Sequence, residues 1–336
     1  MTVAEPAQSA PRWPGTVEPN PILATVTPFA RDGAVDTGAL REYLGFLHRA
    51  GVPAILVNGT TGEFASLTVA ERKSVLEQAR EHWPGELIAH IGATAYGDAL
   101  ELLDHARHHA DAVAAIAPYF FADPPEAGVG EFFGVLLART RLPMLLYNFP
   151  RHTQTPISPA LLAALAAEYP MLAGIKDSGG DLEVTRAYVA TGSAVFVGSD
   201  GAAARVREVG VHGIVSGGGN PVPELPVRIA AAVRDGDIDA AARWQAVFDE
   251  CRALRHDSGL TDIAFVKAAL AERIPDSRRP SAARCAPPAM PRSPRFGRTC
   301  GTGFCPVFTK TRRDRDRTPS AAPRHRRGRA TTSAST

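Results

Sequence analysis

The sequence predicts an α/β fold: a closed (β/α)8 barrel of the TIM type over residues 21–220, a helical region over 221–274 and an aperiodic basic tail over 275–336. Three observations carry this expectation. Eight short apolar runs alternate with longer amphipathic stretches. The runs are nearly continuous in apolar residues, as strands covered on both faces are. After residue 220 helical spacing persists with no strand-like run between segments.

Residues 1–20 are rich in Pro and Ala and read as a loose arm. Strands are expected at 22–27, 54–58, 86–91, 112–117, 143–148, 171–176, 194–198 and 212–216. Helices are expected between them at 36–50, 68–82, 96–110, 125–140, 158–168, 181–191 and 201–209. Asp36, Thr68 and the Ser158-Pro159 pair supply the oxygen caps and early proline that open helices. Strand–helix alternation implies right-handed βαβ units and a parallel sheet. An open doubly wound sheet is the architectural alternative. Its glycine-rich dinucleotide fingerprint is missing after the first run, where TPFARDG stands. Further helices are expected at 223–234, 237–256 and 260–273, where apolar residues recur at helical spacing. Past Pro275 Arg, Pro, Ser, Ala and Thr dominate, as in a disordered segment.

Charge divides the chain at the same point. Residues 275–336 hold 15 Lys and Arg against 3 Asp and Glu, a balance of +12; residues 1–274 hold 22 against 32, or −10. Three of the four cysteines (Cys285, Cys300, Cys305) lie in the tail, and the body has only Cys251, as expected in the reducing cytoplasm. No apolar run is long enough for a membrane span, and the N-terminus lacks a basic start followed by an apolar stretch. The tail would support weak, salt-sensitive contact with nucleic acid, but no recognition module accompanies it, so none is expected as a partner.

Only four of the 37 basic residues are lysines: Lys73, Lys176, Lys267 and Lys310. Lys73 and Lys267 fall on expected helices, and Lys310 falls in the tail. Lys176 ends an apolar strand, MLAGIK, and the C-terminal ends of barrel strands are where this fold places its chemistry. Arg keeps its proton at any useful pH, whereas a desolvated Lys can lose it and attack a ketone as a free amine. A strand-end lysine reaching solvent is the plain alternative. Tyr147 ends the preceding strand, so its phenol is placed to move protons to and from a carbinolamine, or else simply packs on the barrel top. A third element, NGTTGEF at 58–64, follows another strand. Gly59 and Gly62 permit a tight turn with exposed amides, and Thr60 and Thr61 add hydroxyls, a combination suited to a carboxylate or to an ordinary turn.

Together these elements resemble the dihydrodipicolinate synthase and N-acetylneuraminate lyase family. AILVNGTTGEFASLTVAE (54–71) resembles its first signature. YNFPRHTQTPI, fourteen residues and then LAGIKDS resemble its second. The likeness runs from about Ile22 to the helices near residue 273. It implies a barrel with a C-terminal helical domain, assembled as a dimer or tetramer. The implied chemistry is a lysine Schiff base with pyruvate or another 2-oxo acid, followed by making or breaking a C–C bond. By position, Lys176 corresponds to the Schiff-base lysine and Tyr147 to the proton-transferring tyrosine. Thr60 and Thr61, beside Gly59, correspond to the carboxylate-binding pair, and Val215 to a residue whose carbonyl faces the site. No cofactor and no metal is implied.

The family's synthases carry an Arg five residues after the tyrosine; here His152 stands there with Arg151 beside it. Their PYY motif reads Pro118-Tyr119-Phe120, so a phenyl ring occupies the relay position. GIKDSGGD resembles the aldolases of 2-keto-3-deoxy sugar acids or 4-hydroxy-2-oxo acids more than the synthases. The favoured expectation is a lyase releasing pyruvate and an aldehyde, with Arg151, His152 and Phe64 near the partner aldehyde. The alternatives are the synthase that condenses pyruvate with aspartate semialdehyde, and an inactive barrel.

Four other features are given no chemistry. His105, His108 and His109 read as a solvated helix face with no carboxylate partner. Cys285, Cys300 and Cys305 lack paired spacing for zinc. Asp177 is expected to position Arg186 or a loop, and SGGGN (216–220) reads as a turn. The break in composition after Asp276 is read as a change of reading frame in a GC-rich gene.

Overall fold

The structure is a computed structural model that describes residues 20–274 apart from residue 122. The N-terminal arm up to residue 19 lies outside the described residues. So does the tail, with its three cysteines and the suspected frame boundary.

Eight parallel strands close in sequence order: β1 (Asn20–Ala24), β2 (Ala54–Val57), β3 (Glu86–His90), β4 (Ala112–Ile116), β5 (Met144–Asn148), β6 (Leu172–Asp177), β7 (Ala194–Val197) and β8 (Gly213–Ser216). β1 pairs with β8 through Ile22 against Val215, which completes the ring. The crossover helices are α1 (Thr37–Arg49), α2 (Val69–His82), α3 (Tyr96–Ala106), α4 (Glu126–Arg139), α5 (Pro150–Thr153), α6 (Pro159–Glu168), α7 (Leu182–Ala190) and α8 (Val206–Val209). They are followed by α9 (Glu224–Asp235), α10 (Ile238–Asp257) and α11 (Asp262–Arg273). The expected barrel and its trailing helices are both present. Among the described residues no helix is long and apolar enough to cross a membrane.

Local chemistry explains most boundaries. The side chains of Asp36, Thr68 and Ser158 accept from backbone amides at the starts of α1, α2 and α6, and Thr68 forms a reciprocal box with Glu71. Asn20, assigned to the loose arm by sequence, already belongs to β1, and that strand ends at Ala24 instead of residue 27. Beyond it the Thr27 hydroxyl donates to the Gly62 carbonyl at 2.8 Å, so the chain bends over the mouth and leaves the ladder. The helix expected at 201–209 divides into a 3-10 turn, Asp200–Arg205, and the single turn α8. Gln245 of α10 clasps that turn, donating to the Asp200 carbonyl at 3.1 Å and accepting from the Ala204 amide at 3.0 Å. The helix α5 was not foreseen, because four residues carry no period.

Small and large side chains interlock inside the barrel. Ala24, Ala54, Ala112 and Ala114 leave the room that Phe196, Ile88 and Leu145 fill. Gly174, two residues before Lys176, has φ +156°, and a Cβ there would lie 2.0 Å from the Ala194 carbonyl oxygen. Only glycine permits β6 to approach β7 so closely.

Glu86 opens β3 beside Asp111. Burial first, and the Asp111 charge second, push its carboxyl up to about 7 from the ordinary 4.5. The folded state thus holds this proton more tightly than the unfolded chain. The group costs stability above pH 7, and the cost fades as the pH falls toward 4.5. Partial solvation limits the cost to about 1 kcal/mol. Glu86→Gln is expected to raise the urea midpoint at pH 8 and leave it unchanged at pH 4. An equal gain at both pH values would refute the assignment.

Candidate active site

The strand ends converge as the barrel requires. Tyr147 and Lys176 are register partners on β5 and β6. Both are buried. The Lys176 Nζ stands 3.7 Å from the centroid of the Tyr147 ring. The Tyr147 and Thr60 hydroxyls share a hydrogen bond at 3.2 Å. Lysine, phenol and threonine therefore form one contiguous group at the C-terminal mouth.

The loop after β2 owes its shape to tight backbone. Asn58 and Glu63 adopt left-handed conformations with φ 58°. The Glu63 amide donates to the Thr60 carbonyl at 3.0 Å, and the Phe64 amide to the Gly59 carbonyl at 3.3 Å. A Cβ on Gly59 would meet Leu56 at 2.7 Å. Thr61 faces the β8 loop, where a Cβ on Gly217 would lie 2.9 Å from its Oγ1. Val215 sits on β8 with its side chain in the barrel core. Arg151 and His152 are exposed on α5, at the rim. The His152 ring packs edge-on to Phe149 at 4.2 Å, and Phe149 stacks on Tyr147 at 5.8 Å, so His152 relates to the centre through an intervening ring. Burial first, then Arg151, hold His152 below its ordinary value.

Several supporting residues were not legible from spacing. Arg72 of α2 is buried, donating to the carbonyls of Gly92 at 2.9 Å and His90 at 2.7 Å. Its own carbonyl accepts from Asn58 Nδ2 at 2.8 Å. Burial lowers the guanidinium to about 10, which leaves it charged at neutral pH. His90 is held well below its ordinary value by burial, then by the Arg72 and Lys176 charges. Its Nδ1 lies 2.9 Å from the Asn58 carbonyl, which can only accept, so the neutral ring carries its proton on Nδ1. This clasp ties β2, β3 and α2 beneath the threonine loop.

Lys267 of α11 reaches the same loop. Its Nζ pairs with Glu63 Oε1 at 2.6 Å, both side chains being at most 2% exposed, and it lies 4.3 Å from the Phe29 ring centroid. On the far side Asp177 accepts from Asn148 Nδ2 (2.9 Å), the Gly179 amide (2.9 Å) and the Thr185 hydroxyl (2.7 Å). Asp177 thus positions a loop, and Arg186 pairs with Glu183 instead. In SGGGN the amides of Gly218 and Gly219 are taken by Asp200 and Ser216, which leaves the turn reading in place.

Comparison with known proteins agrees with this architecture. The profile described as the Dihydrodipicolinate synthetase family matches residues 19–282. A 4-hydroxy-tetrahydrodipicolinate synthase of Methanopyrus kandleri is 33% identical over 227 residues, 66% of this chain and 75% of that protein. A probable 2-dehydro-3-deoxy-D-pentonate aldolase of Escherichia coli K12 is 31% identical over 231 residues, 66% and 75% of the two chains. A prophage protein of the dihydrodipicolinic acid synthase family from E. coli K12, solved in complex with pyruvate, superimposes with a TM-score of 0.74. It is 28% identical and the match covers 81% of this chain and 93% of that one. The chain therefore belongs to the dihydrodipicolinate synthetase family of lyases.

Proposed function

We propose that this protein is a Schiff-base aldolase cleaving a 2-keto-3-deoxy sugar acid or a 4-hydroxy-2-oxo acid to pyruvate and an aldehyde. The observation that carries this reading is the Lys176 amine against the Tyr147 ring, with the Tyr147 hydroxyl on Thr60. The amine attacks the substrate's C2 ketone, and Tyr147 delivers the proton with which the carbinolamine oxygen leaves as water. The resulting iminium accepts the electron pair of the C3–C4 bond as it breaks, while the C4 hydroxyl gives its proton to Tyr147 and becomes the aldehyde. The enamine is then protonated at C3, and water returns to C2 to release pyruvate and the free amine. The amides and hydroxyls of Thr60 and Thr61, next to Gly59, hold the carboxylate, and the Val215 carbonyl faces the site from β8. Arg151 and His152 line the rim over the aldehyde portion.

Cleavage is favoured over condensation by two side chains. Phe120 has no hydroxyl to relay a proton, and His152 stands where the synthases carry an Arg. The exposed pair Phe120 and Phe121, at 82% and 76%, supports a dimer or tetramer in which a second copy covers them. We place the protein in the cytoplasm, and place its chemistry in residues 21–274. Pyruvate release from a panel of these acids tests the reading, with assembly followed by size-exclusion chromatography. Condensation of pyruvate with aspartate semialdehyde, without pyruvate release from any member, would assign the protein to the synthases.

A further inference from the structure

The crossover helices bring three metal-ligating side chains together on the outer wall, far in sequence from the lysine. Glu77 lies on α2, His105 in the last turn of α3, and His109 four residues later in the turn before β4. One ligand atom from each lies within 4.8 Å of the other two. The Glu77 Oε1 is 2.7 Å from the His105 Nε2. The two imidazoles stack with centroids 4.6 Å apart and planes 29° apart. The sequence alone offers this histidine cluster no carboxylate. The fold supplies one because α2 packs beside α3.

We propose that Glu77, His105 and His109 form a divalent-metal site of the zinc type, with solvent as the fourth ligand. Two neutral imidazoles and one carboxylate are a nitrogen–oxygen donor set that suits zinc, and three protein ligands with an open position are a stable arrangement for it. Bonds of about 2.0–2.2 Å require ligand atoms roughly 3.3 Å apart. The ligand atoms now stand within 4.8 Å of one another and would draw together on an ion. His105 Nδ1 is buried without a hydrogen-bond partner, so among the described residues Glu77 is the single polar tether on that ring. The carboxylate and both rings keep partial solvent access, which gives the ion an entry path. A bound ion would staple α2 to α3 on the side of the barrel away from the catalytic residues. Stability would then respond to zinc while turnover did not.

The test uses the full-length protein stripped of metal, with zinc titrated alone and cobalt as its coloured substitute. One equivalent of zinc is expected at micromolar affinity, with Tm rising by about 3–6 °C at saturation. Cobalt should give visible ligand-field bands without a thiolate charge-transfer band, which separates this site from the cysteines of residues 275–336. Glu77→Gln should weaken binding about tenfold, and His105→Ala/His109→Ala about 100-fold. Retained stoichiometric binding in the double variant, a thiolate spectrum, or no binding to the parent protein would each overturn the proposal.

Discussion

Lys176→Ala is expected to lose turnover by about 10⁴-fold or more, the scale seen when a covalent nucleophile is deleted. Borohydride added with pyruvate should fix one adduct on the parent protein, located by peptide mass at Lys176. The alanine variant should acquire none. The fold should survive the change, because the barrel core beneath is packed by Ala, Leu, Ile and Phe side chains that do not depend on the amine. Unchanged circular dichroism with lost trapping is therefore the predicted pair of results. Tyr147→Phe separates the roles: the ring under the amine remains, the hydroxyl on Thr60 goes, and turnover should fall while slow trapping persists. An adduct on Lys73 or Lys267, or a trapped alanine variant, would refute the assignment.

Lys267→Met is expected to cost about 3–5 kcal/mol, because it leaves the Glu63 carboxylate buried without its ammonium partner. In a domain of this size that lowers Tm by roughly 10 °C. The damage should also reach the chemistry. Glu63 closes the turn that carries Thr60 and Thr61, so apparent affinity for the 2-oxo acid should weaken along with stability. Pairing the change with Glu63→Gln should recover much of the loss, since the uncompensated charge is removed. A Lys267→Met protein as stable as the parent in urea would show that the pair contributes nothing.

What could be read without coordinates follows from the physics of each signal. Strands of a parallel barrel are apolar on both faces, so AILV, AVAAI and MLLYN announce themselves as runs. Lys176 was visible because this chain otherwise uses Arg, and because it ends such a run. Tyr147 ends the neighbouring strand and the threonines follow the end of β2, so the same strand-end logic singles them out. The hidden residues have partners remote in sequence. Lys267 looked like one more helix residue because Glu63 lies 204 positions away. Arg72 needed His90 and Gly92, and His105 needed Glu77, 28 residues upstream. Helical or strand periodicity describes one element at a time and carries no information about which second element lies against it. The ends of β1 and the split near Asp200 were misjudged for the same reason, since Gly62 and Gln245 hold those backbones from outside.

The Lys267–Glu63 pair also sets an order of assembly. A chain emerging from the ribosome presents the threonine loop early and the helix that braces it last. The ring itself closes only when β8 reaches β1, and the brace arrives some fifty residues later still. Products cut short between β8 and α11 would then hold their eight strands yet lack the buried partner of Glu63. Arrival of α11 and completion of the binding loop become one event, and chains that stop between β8 and α11 leave the Glu63 carboxylate without the Lys267 ammonium.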